Sequence, residues 1–197
     1  MRIVAGEFRR RKLLANPGET TRPITDRAKV MLFDWLGKFL RGKRVGDFFA
    51  GTGSLGIEAL SRGADRVVLA EQDHSAFELL RENIAQLGVQ DRALCWRVDA
   101  LRTSFKPKGD PPWCPYGAVF FDPPYSMTQK LRPGQPTFAA LERLASPAVM
   151  EPDGMLIVRT SRDAEVQFPA SWSTEHLMEV SSMAIHFLTR TSAVEAP

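Results

Sequence analysis

Val45-Gly46-Asp47-Phe48-Phe49-Ala50-Gly51-Thr52-Gly53-Ser54-Leu55-Gly56 is the stretch on which the fold turns. A short apolar run closes on three glycines in G-x-G-x-x-G spacing, and a helical apolar pattern at 55–60 follows and stops at Gly63. Strand, glycine turn and helix in that order open a parallel βαβ unit. Downstream, 67–70 reads as a second buried strand. Ser75 and Glu78 read as a capping box for a helix with Phe77, Leu80, Ile84 and Leu87 on one face. Further strands fit 93–98, 118–121 and 155–158, and 172–180 with 182–189 forms a closing hairpin. The pattern predicts an α/β chain with a doubly wound, mostly parallel seven-stranded sheet.

Upstream, 25–40 has the spacing of a helix capped by Thr25 or Asp26, with Ala28, Leu32, Phe33, Leu36, Phe39 and Leu40 on one face. Residues 2–24 read as irregular or extended, broken at Pro17-Gly18 and Arg22-Pro23. Charge separates this head from the rest. The net charge of +3 over 197 residues is the average of +8 in residues 1–44 and −5 beyond them. A basic head on an acidic body predicts a polyanionic partner, since a phosphate backbone rewards such a patch regardless of sequence. The plainer alternative is a solvated arm. The division expected is a basic extension and helix at 1–40, one compact unit at 41–192, and a tail at 193–197.

Several classes are excluded on composition. No apolar run approaches the roughly 20 residues that cross a bilayer, and no apolar segment behind the first residues suggests a leader. Cys95 and Cys114 are too few for a disulfide framework, and His74, His176 and His186 are scattered, so no metal is expected. A cytoplasmic monomer is the expectation.

The glycine loop alone fits a nicotinamide dinucleotide, with Glu71, 20 residues after Gly51, on the ribose. Asp47 argues against it, because a carboxylate beneath the loop would repel a pyrophosphate and welcome a cation. S-adenosylmethionine has that polarity: an ammonium and a sulfonium, with no phosphate. The contact set is then Asp47, the loop residues Phe49, Ala50, Gly51, Thr52 and Gly53, Glu71 with Gln72, and Asp99 with Ala100 toward the adenine.

Asp122-Pro123-Pro124-Tyr125 follows the apolar strand at 118–121. Consecutive prolines lack N–H donors and hold the backbone extended. That leaves the Asp122 carboxylate and the Pro123 carbonyl to accept from a planar NH₂ group, while Tyr125 offers a face for a flat base. Of two remaining loops, 106–117 reads as a surface excursion, and 126–136 lies where doubly wound sheets place ligands.

The 47–53 and 122–125 motifs together resemble the class I S-adenosylmethionine-dependent methyltransferases that modify exocyclic amines. Arg2-Ile3-Val4-Ala5-Gly6, Arg10-Arg11-Lys12-Leu13, and Arg22-Pro23-Ile24-Thr25-Asp26-Arg27 leading into Leu32-Phe33-Asp34-Trp35-Leu36 narrow it. The chain is similar, from residue 2 to about 190, to the bacterial 16S rRNA (guanine-N2)-methyltransferase D family. This implies a Rossmann-like methyltransferase sheet and methylation of one guanine N2 in 16S rRNA, within the 30S subunit or its assembly intermediate. Arg9, Arg10, Arg11, Lys12, Arg22, Arg27, Lys29, Lys130 and Arg132 are the expected RNA contacts, with Arg22 and Arg27 alternatively closing over the cofactor. A DNA adenine-N6 methyltransferase shares the tetrapeptide logic but needs a base-reading domain for which the chain has no room. A non-enzymatic RNA-binding assembly factor would leave the acids and Tyr125 unexplained.

Overall fold

A computed structural model describes residues 1–15, 24–109 and 112–191. Four helices, α1 (Asp26–Leu36), α2 (Ser54–Ser61), α3 (His74–Leu87) and α4 (Pro136–Leu144), accompany nine strands among the described residues. The strands are β1 (Arg44–Phe48), β2 (Arg66–Glu71), β3 (Ala93–Arg97), β4 (Tyr116–Phe121), β5 (Lys130–Leu131), β6 (Met150–Ser161), β7 (Glu165–Val166), β8 (Trp172–Val180) and β9 (Met183–Arg190). Seven of them form one sheet in the order β3-β2-β1-β4-β6-β9-β8, while β5 and β7 make a small parallel pair of their own.

The first five strands of that order are parallel, and β9 runs antiparallel to β6 and to β8. The chain goes outward from β1 through β2 to β3, then crosses back to β4. The strand order therefore reverses between β1 and β4, the place where open α/β sheets leave a crevice for ligands.

Alternation along the strands sends their side chains to two cores. Val45, Val67, Leu69, Phe120 and Phe187 pack under α1, α2 and α3. Val68, Val119, Phe121, Leu156 and Leu188 face α4 and the segment carrying Phe105. Fully burying a side chain of this size is worth about 1.5–3 kcal/mol, so the two apolar faces of β1, β2 and β4 specify the sandwich. The N-terminal segment joins the first core. Ile3 and Leu13 are buried in it, and Ile3 exchanges backbone bonds with Arg10 and Arg11 in a hairpin-like loop.

Several element ends differ from the sequence expectation. α1 stops at Leu36 rather than running to residue 40, because Gly37 adopts a left-handed φ of 53° and returns its amide to the Phe33 carbonyl. Asp73 caps α3, accepting from the Ala76 amide at 2.8 Å, so the capping box at Ser75 and Glu78 does not form. Tyr116 belongs to β4 and not to the preceding loop; it is fully buried and its hydroxyl donates to the Phe105 carbonyl. α4 had no counterpart in the reading of the sequence. The expected tail at 193–197 lies outside the described residues.

Candidate active site

The parallel register aligns one row of residues across the carboxyl ends of the strands. Phe48 pairs with Ala70 on one side and Phe121 on the other, and Phe121 pairs with Val158. One step further come Glu71, Phe49, Asp122 and Arg159, side by side along the crevice. The Asp122 amide donates to the Phe48 carbonyl at 3.2 Å, which ties the D-P-P-Y turn to the start of the glycine loop.

The loop is built as its sequence demands. Phe49 and Gly51 have φ of 69° and 55°, and Gly53 has φ of 92°. A Cβ on Gly53 would meet Leu80 at 2.6 Å, and one on Gly56 would meet Leu69 at 2.8 Å and Val67 at 2.9 Å. Gly56 thus lets α2 lie against β2, the packing duty of the third glycine of this fingerprint. Beneath it, Asp47 Oδ2 accepts from the Gly56 amide at 2.7 Å. Burial pushes the Asp47 carboxyl up to about 7, with Asp122 and Glu71 adding to the rise while the Gly56 amide and Arg159 oppose it.

Glu71 holds the loop from the other side. Its Oε2 accepts from the Gly51 amide and its Oε1 from the Asp73 amide, both at 2.8 Å. Each oxygen keeps a second acceptor position. Gln72 beside it is exposed. Asp99 Oδ1 accepts from the Leu101 amide at 2.9 Å, and Ala100 is buried against the second core.

Among the described residues, four buried polar atoms around this crevice lack a hydrogen-bond partner: Asp47 Oδ1, Thr52 Oγ1, Ser54 Oγ and Arg159 Nη1. Buried polar atoms are ordinarily paired. Orphans at the glycine loop, together with acids at the ends of β1 and β2 and just past β3, fit a polar, cationic ligand seated on the loop. The acids in this set suit the ammonium and sulfonium of S-adenosylmethionine better than a pyrophosphate, whose charge they oppose.

The D-P-P-Y turn faces the same crevice. Pro123 is buried, Pro124 and Tyr125 are half-buried, and Tyr125 starts a single 3₁₀ turn ending at Met127. The Pro124 carbonyl accepts from the Met127 amide at 2.8 Å. Asp122 is bonded by a residue that reading the sequence missed. Arg159 Nε, from β6, donates to Asp122 Oδ1 at 2.6 Å, with the two side chains only 10% and 13% exposed. Burial pushes the Asp122 carboxyl above the usual range, and Arg159 draws part of that rise back. The signal was available: Arg159 is a charge at the end of an apolar strand, as Asp47 and Glu71 are.

The basic residues divide. Arg9, Arg10, Arg11 and Lys12 are exposed at the end of the N-terminal loop, where the Arg11 guanidinium also donates to the Gln86 carbonyl at 2.9 Å. Arg27, Lys130 and Arg132 are exposed as well, while Arg22 lies outside the described residues. Lys29 does not belong with them. It is fully buried, its Nζ donating to the Arg2 carbonyl at 2.5 Å and standing 3.9 Å from Glu58. A buried ammonium bonded inside the core is out of reach of a phosphate.

Glu58 was also unforeseen. This fully buried carboxylate accepts from the Val4 amide at 2.8 Å and the Ala5 amide at 3.1 Å, and pairs with Arg62 at 3.0 Å. Asn83, equally buried, accepts from the Leu14 amide and donates to the Leu14 and Thr52 carbonyls. Both fasten the N-terminal segment to the sheet domain. Among the described residues no His, Cys, Asp or Glu cluster is placed to hold a metal, and no helix is long and apolar enough to cross a membrane.

Sheet order, glycine loop and D-P-P-Y turn define a Rossmann-like methyltransferase. The chain belongs to the family described as Conserved hypothetical protein 95, whose sequence profile matches residues 1–187. It is 32% identical over 174 residues to Ribosomal RNA small subunit methyltransferase D of Haemophilus influenzae, covering 88% of this chain and 85% of that one. The Escherichia coli structure named "Putative methyltransferase yhhF" superposes with a TM-score of 0.78 at 31% identity, covering 96% of this chain and 97% of its own. A Salinibacter ruber RNA methyltransferase in complex with S-adenosyl-L-homocysteine shares the fold, with a TM-score of 0.62 at 13% identity over 89% and 98% of the two chains.

Proposed function

We propose that this protein transfers a methyl group from S-adenosylmethionine to the exocyclic N2 amine of one guanine in 16S rRNA, in the cytoplasm, on the 30S subunit or its assembly intermediate. The observation that carries the reading is the position of Asp122. Its carboxylate stands at the end of β4, tied through its backbone to the glycine loop. The relative from Haemophilus influenzae, by its name a small-subunit rRNA methyltransferase, supports the substrate class.

When bound, S-adenosylmethionine supplies a methyl already activated by its sulfonium. Asp47, the 49–53 backbone and Glu71 would hold it, with Asp99 toward the adenine. The protein's work is then alignment, an effect worth up to roughly 7–11 kcal/mol in favourable cases. Asp122 accepts from the guanine amine and turns its lone pair out of conjugation and toward the methyl. The proton lost afterwards passes to water or to Asp122, since a methylated aromatic ammonium is strongly acidic. To reach N2 the base must leave its stack. Tyr125, half-buried beside Asp122, gives it a face worth about 1–3 kcal/mol. Arg9, Arg10, Arg11, Lys12 and Arg27, with Lys130 and Arg132 in the 126–136 segment, meet phosphates.

The test is transfer of tritiated methyl from the cofactor to naked 16S rRNA and to 30S particles from cells lacking the enzyme, followed by mapping of the labelled nucleotide. Label on a guanine N2 supports the reading. Label on DNA, on another amine or on neither RNA substrate overturns it.

A further inference from the structure

Arg159 is costly where it stands. The side chain lies at the end of β6, nine-tenths buried, on the sheet face that carries Phe120, Ile157 and Ile185. A buried ion pair seldom repays its desolvation in stability, and apolar residues of similar volume are often as good or better. Nη1 is enclosed with no hydrogen-bond partner among the described residues, a state that a purely structural arginine ordinarily avoids.

The guanidinium nevertheless touches both side chains of the D-P-P-Y turn that would meet a base. Nε donates to Asp122 Oδ1 at 2.6 Å, and the guanidinium carbon lies over the Tyr125 ring, 5.7 Å from its centroid. A planar, permanently charged fork suits this double duty, because it can hydrogen-bond in its plane and stack across its face. With Oδ1 taken by Arg159, Oδ2 is the oxygen left to accept from an amine.

We infer that Arg159 is the positioning residue of the methyl-transfer site: one guanidinium fixes the spacing between the carboxylate that takes the amine and the ring that takes the base. The inference rests on the reading of Asp122 as the amine acceptor. Arg159 acts through Asp122 and Tyr125 rather than on the reacting atoms. It also supplies positive charge to a crowded acidic site. Arg159 faces Asp122 from β6 and Asp47 faces it from β1, with Glu71 of β2 acting in turn on Asp47 and Tyr125 acting on Arg159.

The experiment compares full-length wild type, R159M, R159K and D122A in single-turnover methylation of 30S particles across pH 5–9. S-adenosylhomocysteine affinity by calorimetry and folding by circular dichroism are followed alongside. R159M should lose roughly 100-fold in rate, the scale of a 1 Å misplacement, while holding S-adenosylhomocysteine within about threefold. Its acid limb should move up by roughly 1–3 pH units, the range an adjacent opposite charge commands. R159K should keep the limb near that of wild type, because the charge remains, yet run slower, because an ammonium cannot fork and stack together. That separation decides the matter even if R159M does not fold. The inference is overturned if R159M matches wild type in rate and limb, if R159K does so in both, or if rate and cofactor affinity fall together. D122A at the wild-type rate would instead overturn the role given to Asp122, whereas an inactive D122A beside an unaffected R159M overturns the brace alone.

Discussion

The carboxylate of Asp47 accepts a 2.7 Å hydrogen bond from the backbone amide of Gly56, nine residues further along the chain. One oxygen thereby fastens the first turn of α2 over the end of β1. The other is buried without a partner among the described residues. One residue thus closes the glycine loop with one oxygen and leaves its other oxygen unbonded among the described residues.

This arrangement sets a pH dependence. Burial raises the Asp47 carboxyl to about 7 from 3.8. The folded protein therefore binds more protons than the unfolded chain between those values. The stability tied to Asp47 is fully present below about pH 4 and is lost as pH rises through 7; Asp122, raised in the same direction, adds to the trend. Thermal unfolding of the ligand-free protein should show Tm falling from pH 5 to 8, and D47N should flatten that fall. Cofactor binding has the opposite sign, because the ammonium wants the ionised form. Affinity should tighten up to about tenfold per unit as pH rises toward 7, with proton release at pH 6.5. Calorimetry in buffers of different ionisation enthalpy measures it, and zero release would refute the Asp47 contact.

Glu71 binds two backbone amides, those of Gly51 and Asp73. In E71Q one carboxylate oxygen becomes a donor facing an N–H. Hydrogen bonds to charged groups are worth about 1.5–3 kcal/mol, so S-adenosylhomocysteine affinity should fall roughly 10–100-fold. A loss below about threefold in calorimetry would show that Glu71 serves the loop and not the ribose.

Glu58 and Lys29 are both fully buried. Burial lowers the Lys29 ammonium from its usual value and Glu58 pulls it back. Removing one partner of a buried pair costs about 3–5 kcal/mol. E58A should cost that much in urea denaturation, and the double variant with K29M less than the sum of the two single changes. Simple additivity would mean that the two charges act independently.

Arg9, Arg10, Arg11 and Lys12 are exposed together. Replacing all four with glutamine should weaken rRNA binding and reduce the slope of log K against log salt by up to about 3, at roughly 0.7–0.9 per phosphate contact. Binding measured by filter retention from 50 to 300 mM salt reads this directly. An unchanged slope would mean that the cluster is merely solvated.

Much of this molecule is legible along its chain. The strands of the parallel sheet show as apolar runs because both their faces are covered, and their charged ends announce the crevice. α4 escaped because Pro133-Gly134 and Pro136 read as breakers, although Phe138, Leu141 and Leu144 recur at helical spacing and are buried. Lys29 was misplaced because a count of charges cannot see that α1 turns this one inward. Glu58 needed three dimensions, since it binds amides 53 and 54 residues away. Arg159 shows in the sequence as a charge at a strand end, but its partner Asp122, 37 residues away, does not.

The fastening of residues 1–15 has a practical corollary. Deleting them to test RNA binding would strip Asn83 of both its bonds to Leu14, leave Glu58 without the Val4 and Ala5 amides, and open the seats of Ile3 and Leu13. Asn83 also steadies the Thr52 carbonyl of the glycine loop. On the function proposed above, a truncated chain would report a damaged glycine loop as though it were lost RNA affinity. Only changes confined to the exposed side chains separate the grip from the scaffold that carries it.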